Sequence, residues 1–142
     1  MKKIVTFRIY PEPARNKKYY KVFVFRNSDD MKVYAKVCGK LSPWLGKQYT
    51  SNFDYEAICT WFGRSRKYPN QIGHILVHRE VAKRSTVIVH EIFHGALYYF
   101  WYNTKLKWNR VKSDKKTEER LAHIVGRMNG QYWGKWWELK LK

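Results

Sequence analysis

Acidic residues are scarce in this chain: 11 Asp and Glu stand against 29 Lys and Arg in 142 residues, a formal net charge of +18. Such a chain repels itself and attracts polyanions. Cysteine is scarcer still. Cys38 and Cys59 lie 21 residues apart with no CxxC spacing, which excludes a zinc ribbon, a thioredoxin-like pair and a disulfide-rich scaffold and leaves two buried thiols. No internal repeat, low-complexity tract or Pro/Gly/Ser linker interrupts the sequence, so a single domain over residues 1–142 is expected. Long apolar runs are also missing. Met1-Lys2-Lys3-Ile4-Val5 starts like a signal peptide, but Arg8, Pro11 and Glu12 break it early. The longest apolar segment, residues 86–102, holds His90, Glu91 and His94, groups that are costly at membrane depth. No membrane partner is therefore expected, and the cytoplasm is the default compartment.

What the chain does have is aromatic material: 7 Trp, 11 Tyr and 7 Phe within a 44% apolar composition, enough for a packed core and against wholesale disorder. Basic and aromatic residues interleave at Trp61-Phe62-Gly63-Arg64-Ser65-Arg66-Lys67-Tyr68 and at Trp133-Gly134-Lys135-Trp136-Trp137. That pattern suits bases stacked on rings and phosphates held by lysines, making nonspecific nucleic acid or an acidic protein a candidate partner. It equally suits an aromatic-rich fold kept soluble by charge spread along its length.

The first half reads as strands. Residues 3–10 (KIVTFRIY) alternate in part, and residues 19–26 (YYKVFVFR) are rich in β-branched and aromatic side chains. Asn27-Ser28-Asp29-Asp30 then reads as a turn and residues 31–37 (MKVYAKV) as the returning strand of a hairpin. Residues 40–53 read as loop, residues 54–62 fit either a short helix or a strand, and residues 72–79 (IGHILVHR) read as a further strand.

The second half reads as helices. Ser85 or Thr86 can cap a helix running through residues 87–102 to a stop at Asn103. A second should begin near Thr117, with Glu118 and Glu119 in its first turn, and run to about Gly130. The expected fold class is α+β: an N-terminal, mostly antiparallel sheet followed by two packed helices on one of its faces.

His90-Glu91-Ile92-Phe93-His94 is an HExxH sequence inside the first of those helices. Residues four apart share a helix face, so both imidazoles can reach one zinc ion, while Glu91 lies beside them as a general base for a water. With 5 His and 7 Glu in the chain, the pattern arises by chance with a probability of about 1%. Two ordinary core histidines are the plain alternative, weakened by the cost of burying the intervening carboxylate. Gly95-Ala96 keeps the helix surface small after His94, leaving room for a second helix to bring a third ligand. Residues 72–79 are expected to form an edge strand able to pair with an extended peptide.

These residues resemble the gluzincin class of zinc metallopeptidases, in which HExxH on one helix is joined by a glutamate from a later one. Glu119-Arg120-Leu121-Ala122, 25 residues after His94, is similar to the downstream Glu-x-x-Ala element. The strand-rich start and final helix resemble small phage-encoded and ImmA/IrrE-like metallopeptidases over roughly residues 73–128. The resemblance implies a zincin-like hydrolase of peptide bonds. Zn2+ would be held by His90, His94 and Glu119, with Glu91 as general base, a protein or peptide as substrate, and the host cytoplasm as compartment if the chain is phage-encoded. A non-proteolytic or structural zinc site in a nucleic-acid-binding protein, or a protease recruited to DNA, are the alternatives.

A helical wheel places Glu119 on a stripe with Ala122, His123, Gly126 and Gly130, suited to close contact with Gly95, and Glu118 nearer the apolar face. The wheel alone would call the Glu118 side the core side; the spacing implied by the resemblance, with the ligand three residues before Ala122, together with the small stripe favours Glu119, and a solvated first-turn pair is the other reading of both acids. His123 is either a catalytic residue, orienting a ligand or donating to an oxyanion, or a surface histidine. His74 and His78 share one side of their strand, where a structural role or a place in a cleft wall is open to them. Residues 97–102 (LYYFWY) should form core and cleft wall.

Overall fold

The computed structural model describes residues 3–12, 17–41, 57–61, 69–103 and 115–139. Its elements are β1 (Lys3–Ile9), β2 (Tyr19–Phe25), α1 (Ser28–Leu41), β3 (Ala57–Trp61), β4 (Gln71–His78), α2 (Ser85–Asn103) and α3 (Lys115–Glu138). The class is α+β, as expected, but with three helices and a mixed four-stranded sheet of order β1-β2-β4-β3. β1 pairs antiparallel with β2 and β3 antiparallel with β4, whereas β2 and β4 run parallel at the centre.

That parallel pair follows from α1, the element the sequence pattern misassigned. Residues 31–37 satisfy both periods, since Met31, Val33, Ala35 and Val37 alternate while Met31, Ala35 and Cys38 recur at helical spacing. The start of the segment decides between them. Asn27 Oδ1 accepts the Asp30 N–H at 2.8 Å, Asn27 C=O accepts the Met31 N–H at 3.3 Å, and Asp29 and Asp30 occupy the first turn. What reads as a turn is an N-cap with acids at the positive end of the helix dipole. Met31 and Ala35 are buried accordingly, and Val33 and Val37 are exposed. With no hairpin after β2, the chain crosses over and pairs with β2 from β4 in the parallel sense.

The crossover also covers both faces of the sheet, where helices on one face alone were expected. Phe23, Phe25, Ile58 and Leu76 pack with Met31 and Ala35 of α1, while Val22, Val24, Ile75 and Val77 face α2 and α3. β4 is buried along its whole length, as a strand between two neighbours and two helical layers must be. It is therefore not the expected edge; the edges are β1 and β3. Within the sheet, Gly73 is obligatory, because a Cβ there would collide with the Thr60 carbonyl oxygen of β3.

α2 starts at Ser85 and ends at Asn103 as expected, and its residues Ile88, Ile92, Ala96, Tyr99 and Phe100 are fully enclosed. Complete burial of each isoleucine contributes about 1.5–3 kcal/mol. α3 runs two turns beyond the expected end at Gly130 and buries Leu121, Ile124, Met128, Tyr132 and Trp136. Of the Trp133–Trp137 stretch, Trp136 is thereby core and Trp133 is packed against it, while Gly134 and Trp137 are exposed. Residues 42–56 and 62–68, which include most of the expected loop and the other basic-aromatic stretch, lie outside the described residues.

α3 also holds the chain leaving β1. Gln131 Oε1 accepts the Tyr10 N–H at 2.8 Å and its Nε2 donates to Tyr10 C=O at 2.7 Å, while Arg127 Nη1 donates to Pro11 C=O at 3.0 Å. Next along the chain, buried Glu12 accepts from Arg120 Nη2 at 2.7 Å and Nε at 3.0 Å, and from the Tyr99 hydroxyl at 2.7 Å. Both carboxylate oxygens are satisfied, which offsets the cost of burying the charge. Removing one partner strands the other. Glu12→Ala should destabilise the fold by about 3 kcal/mol, read from the shift of the urea unfolding midpoint at constant slope, whereas Asn27→Ala should cost about 1 kcal/mol through loss of the cap.

Candidate metal centre

Helix α2 meets the sheet through two small or polar positions. At Gly95 an added Cβ would lie 3.3 Å from Cys59 Sγ and Met128 Cε and 3.4 Å from Tyr20 Cε2, so the residue is small because three elements converge on it. The Tyr20 hydroxyl donates to the Gly95 carbonyl at 2.7 Å, and the other edge of the same ring lies against Gly73. Burial, then Cys59 and Tyr98, push the Tyr20 phenol well above its ordinary pKa, so it stays a neutral donor.

One turn earlier Glu91 is 9% exposed and borders β3. The backbone N–H of Cys59 donates to its carboxylate; burial nevertheless dominates and pushes the group up to about 7. The Cys59 thiol is itself held well above its usual range by burial and by the neighbouring Glu91.

His90 and His94 stand on the next face outward. Their Nε2 atoms converge to 3.1 Å, with His90 exposed and His94 partly covered. Glu91 Oε1 is 4.0 Å from His90 Nε2. Tyr98 stacks on the His94 ring at 6.1 Å between centroids. Partial burial, reinforced by His90, lowers the His94 pKa and favours the neutral imidazole with its lone pair available. The HExxH spacing thus sets the two imidazoles one turn apart with their Nε2 atoms at hydrogen-bond distance, and a sheltered carboxylate beside them.

The later helix contributes less than expected. Glu119 and His123 are 61% and 72% exposed in their side chains and lie 3.7 Å from each other, one turn apart on the solvent side of α3. Glu118 is exposed as well. The stripe of Ala122, His123, Gly126 and Gly130 does not approach Gly95; a Cβ at Gly126 or Gly130 would meet nothing within 4 Å. The reason is competition between faces. α3 buries its longer apolar stripe, and it is Met128 from that stripe that reaches Gly95. Among the described residues no three His, Cys, Asp or Glu side chains gather into a metal-binding group, so Glu119 is not brought to the histidine pair.

His74 and His78 are buried on β4, and His74 packs edge-on to Phe23 and beside Tyr34 on the α1 side of the sheet. No protein-family model, curated protein or solved structure matches the chain. Of the aromatic run after His94, Tyr99 and Phe100 are core and Trp101 is 40% exposed. Among the described residues no helix is long and apolar enough to cross a membrane.

Three contributors to this region carry no motif: Tyr20, Cys59 through its backbone, and the Glu12-Tyr99-Arg120 cluster. Only Glu12 leaves a trace in the sequence, as the lone acid before Asp29 in a strongly basic stretch.

Proposed function

We propose that the chain is a zinc-dependent hydrolase acting on peptide bonds, with His90 and His94 as metal ligands and Glu91 as general base. The observation that carries this reading is the 3.1 Å convergence of the two Nε2 atoms on a helix whose intervening glutamate lies 4.0 Å from one of them. Two imidazole nitrogens are a fitting donor set for zinc, and a catalytic site takes one further protein ligand and keeps one open position. Zinc bound there would supply Lewis acidity, polarising a carbonyl and lowering the pKa of a water.

The protein's own part is positional. Cys59 N–H holds the Glu91 carboxylate against β3, so its oxygens receive a proton from the attacking water and return it to the departing amine nitrogen. β3 is an edge strand, so an extended substrate can lie alongside it beside α2. This moves the substrate-pairing role from β4 to β3.

Elemental analysis and zinc titration test the assignment. The protein should take up one zinc; His90→Ala and His94→Ala should each abolish uptake. Glu91→Gln should retain zinc and lose at least about a hundredfold in peptide hydrolysis, since general-base catalysis contributes 10²–10⁴-fold. No uptake by the parent protein would end the proposal. Because Glu119 is turned toward His123 and solvent, Glu119→Ala should weaken zinc binding far less than either histidine substitution; an equal loss would identify it as the third ligand.

A further inference from the structure

The two faces of the sheet are unequally covered. α2 and α3 enclose one face out to β1, burying Phe7 and Ile9. On the other, α1 packs over Phe23, Phe25, Ile58 and Leu76 of the inner strands and β3. The same face of β1 and the start of β2 carry a different set. Register places Thr6 opposite Phe23 and Arg8 opposite Lys21, with Tyr19 preceding Lys21 by two on that face. Thr6 and Arg8 are exposed, and Tyr10, Tyr19 and Lys21 are partly so.

These side chains are arranged, not scattered. The Arg8 guanidinium lies 4.2 Å over the Tyr19 ring, Tyr10 and Tyr19 are 5.8 Å apart between centroids, and Lys21 Nζ sits 5.4 Å over Phe23. Lys17, two residues before β2, is exposed. Among the described residues no carboxylate pairs with Arg8, Lys17 or Lys21. The nearby Glu12 is turned to the opposite side and spent on Arg120 and Tyr99. Aromatic faces with planar guanidinium and ammonium groups between them, on an open sheet surface, match unpaired bases alternating with phosphates. A duplex offers the phosphates but hides the base faces. The charge of the chain, +18, supplies long-range attraction to such a polyanion.

We propose that the open β1–β2 face, built from Arg8, Tyr10, Tyr19 and Lys21, binds single-stranded nucleic acid. Bases stack on Tyr10, Tyr19 and the outer plane of the Arg8 guanidinium, and phosphates lie against Arg8, Lys21 and Lys17. The site is on the sheet face opposite α2 and owes nothing to the metal-centre reading.

The test is fluorescence anisotropy of a short labelled oligo(dT) with the whole protein over a salt series, alongside a duplex of the same length. The single strand should bind more tightly than the duplex. Combined Arg8→Ala and Lys21→Ala should reduce the slope of log Kd against log salt by about 1.4, roughly 0.7 for each phosphate released. Tyr19→Leu should weaken binding about tenfold while Tyr19→Phe preserves it, as stacking requires. Should Tyr19→Leu fail to unfold cooperatively, Tyr10→Leu carries the same expectation. Combined Lys83→Ala and Lys115→Ala, exposed lysines outside this face, make the same change in net charge and should leave the slope within experimental error. Duplex binding as tight as the single strand, an equal slope loss from the Lys83 and Lys115 pair, or unchanged affinity on loss of the ring would each overturn the proposal.

Discussion

One tyrosine ring sets the distance between the sheet and its principal helix. Tyr20 lies between two glycines, Gly73 on β4 and Gly95 on α2, and its hydroxyl donates to the second. A ring is rigid and each glycine lacks the Cβ that would push it away, so helix and sheet meet at a separation fixed by the thickness and reach of a phenol. Everything at the α2 site inherits that separation. Glu91 can accept the Cys59 N–H because β3 is hydrogen-bonded to β4, and β4 is spaced from α2 by Tyr20. His90 and His94 then project outward because the inward directions of the helix are already taken by Ile88, Ile92, Ala96 and Tyr99.

How far the fold was legible depended on whether local signals competed. α2 could be read to its end residues, since a hydroxyl start, an unbroken apolar run and an asparagine stop agree. Residues 31–37 could not, because the same apolar residues satisfy a two-residue and a near-four-residue period, and the deciding hydrogen bond belongs to Asn27, a residue equally at home in a turn. The place of β4 followed from that one: with a hairpin after β2, β4 reads as an edge strand, whereas with a helix there it pairs parallel to β2 at the centre of a sheet whose two outer pairings are antiparallel.

The site was legible to the same degree and for a similar reason. HExxH is a local pattern, five residues on one helix, and it sets His90 and His94 one turn apart on the same face. The partnership with α3 is nonlocal, and a wheel offers two faces that both look able to pack: a small-residue stripe and an apolar one. Burial of Leu121, Ile124, Met128, Tyr132 and Trp136 outweighs close approach through glycine, and Glu119 is carried to the solvent side. Glu12, which anchors α2 to α3, stands out in the sequence only as a lone acid, and its partners are 87 and 108 residues away.

That clamp on residues 10–12 has a bearing on the order in which the molecule assembles. Tyr10, Pro11 and Glu12 leave the ribosome early, yet Gln131, Arg127 and Arg120, which satisfy them, come from the last helix. The β1–β2 pairing is local and can form as soon as both strands are synthesised, but the polar groups at the end of β1 exchange water for their partners on α3 only when that helix packs. Contacts closing over more than a hundred residues are slow to form, and a nascent chain in that state exposes the apolar side of β1. A chain truncated before α3 would leave the apolar face of β1, with Phe7 and Ile9, uncovered by that helix.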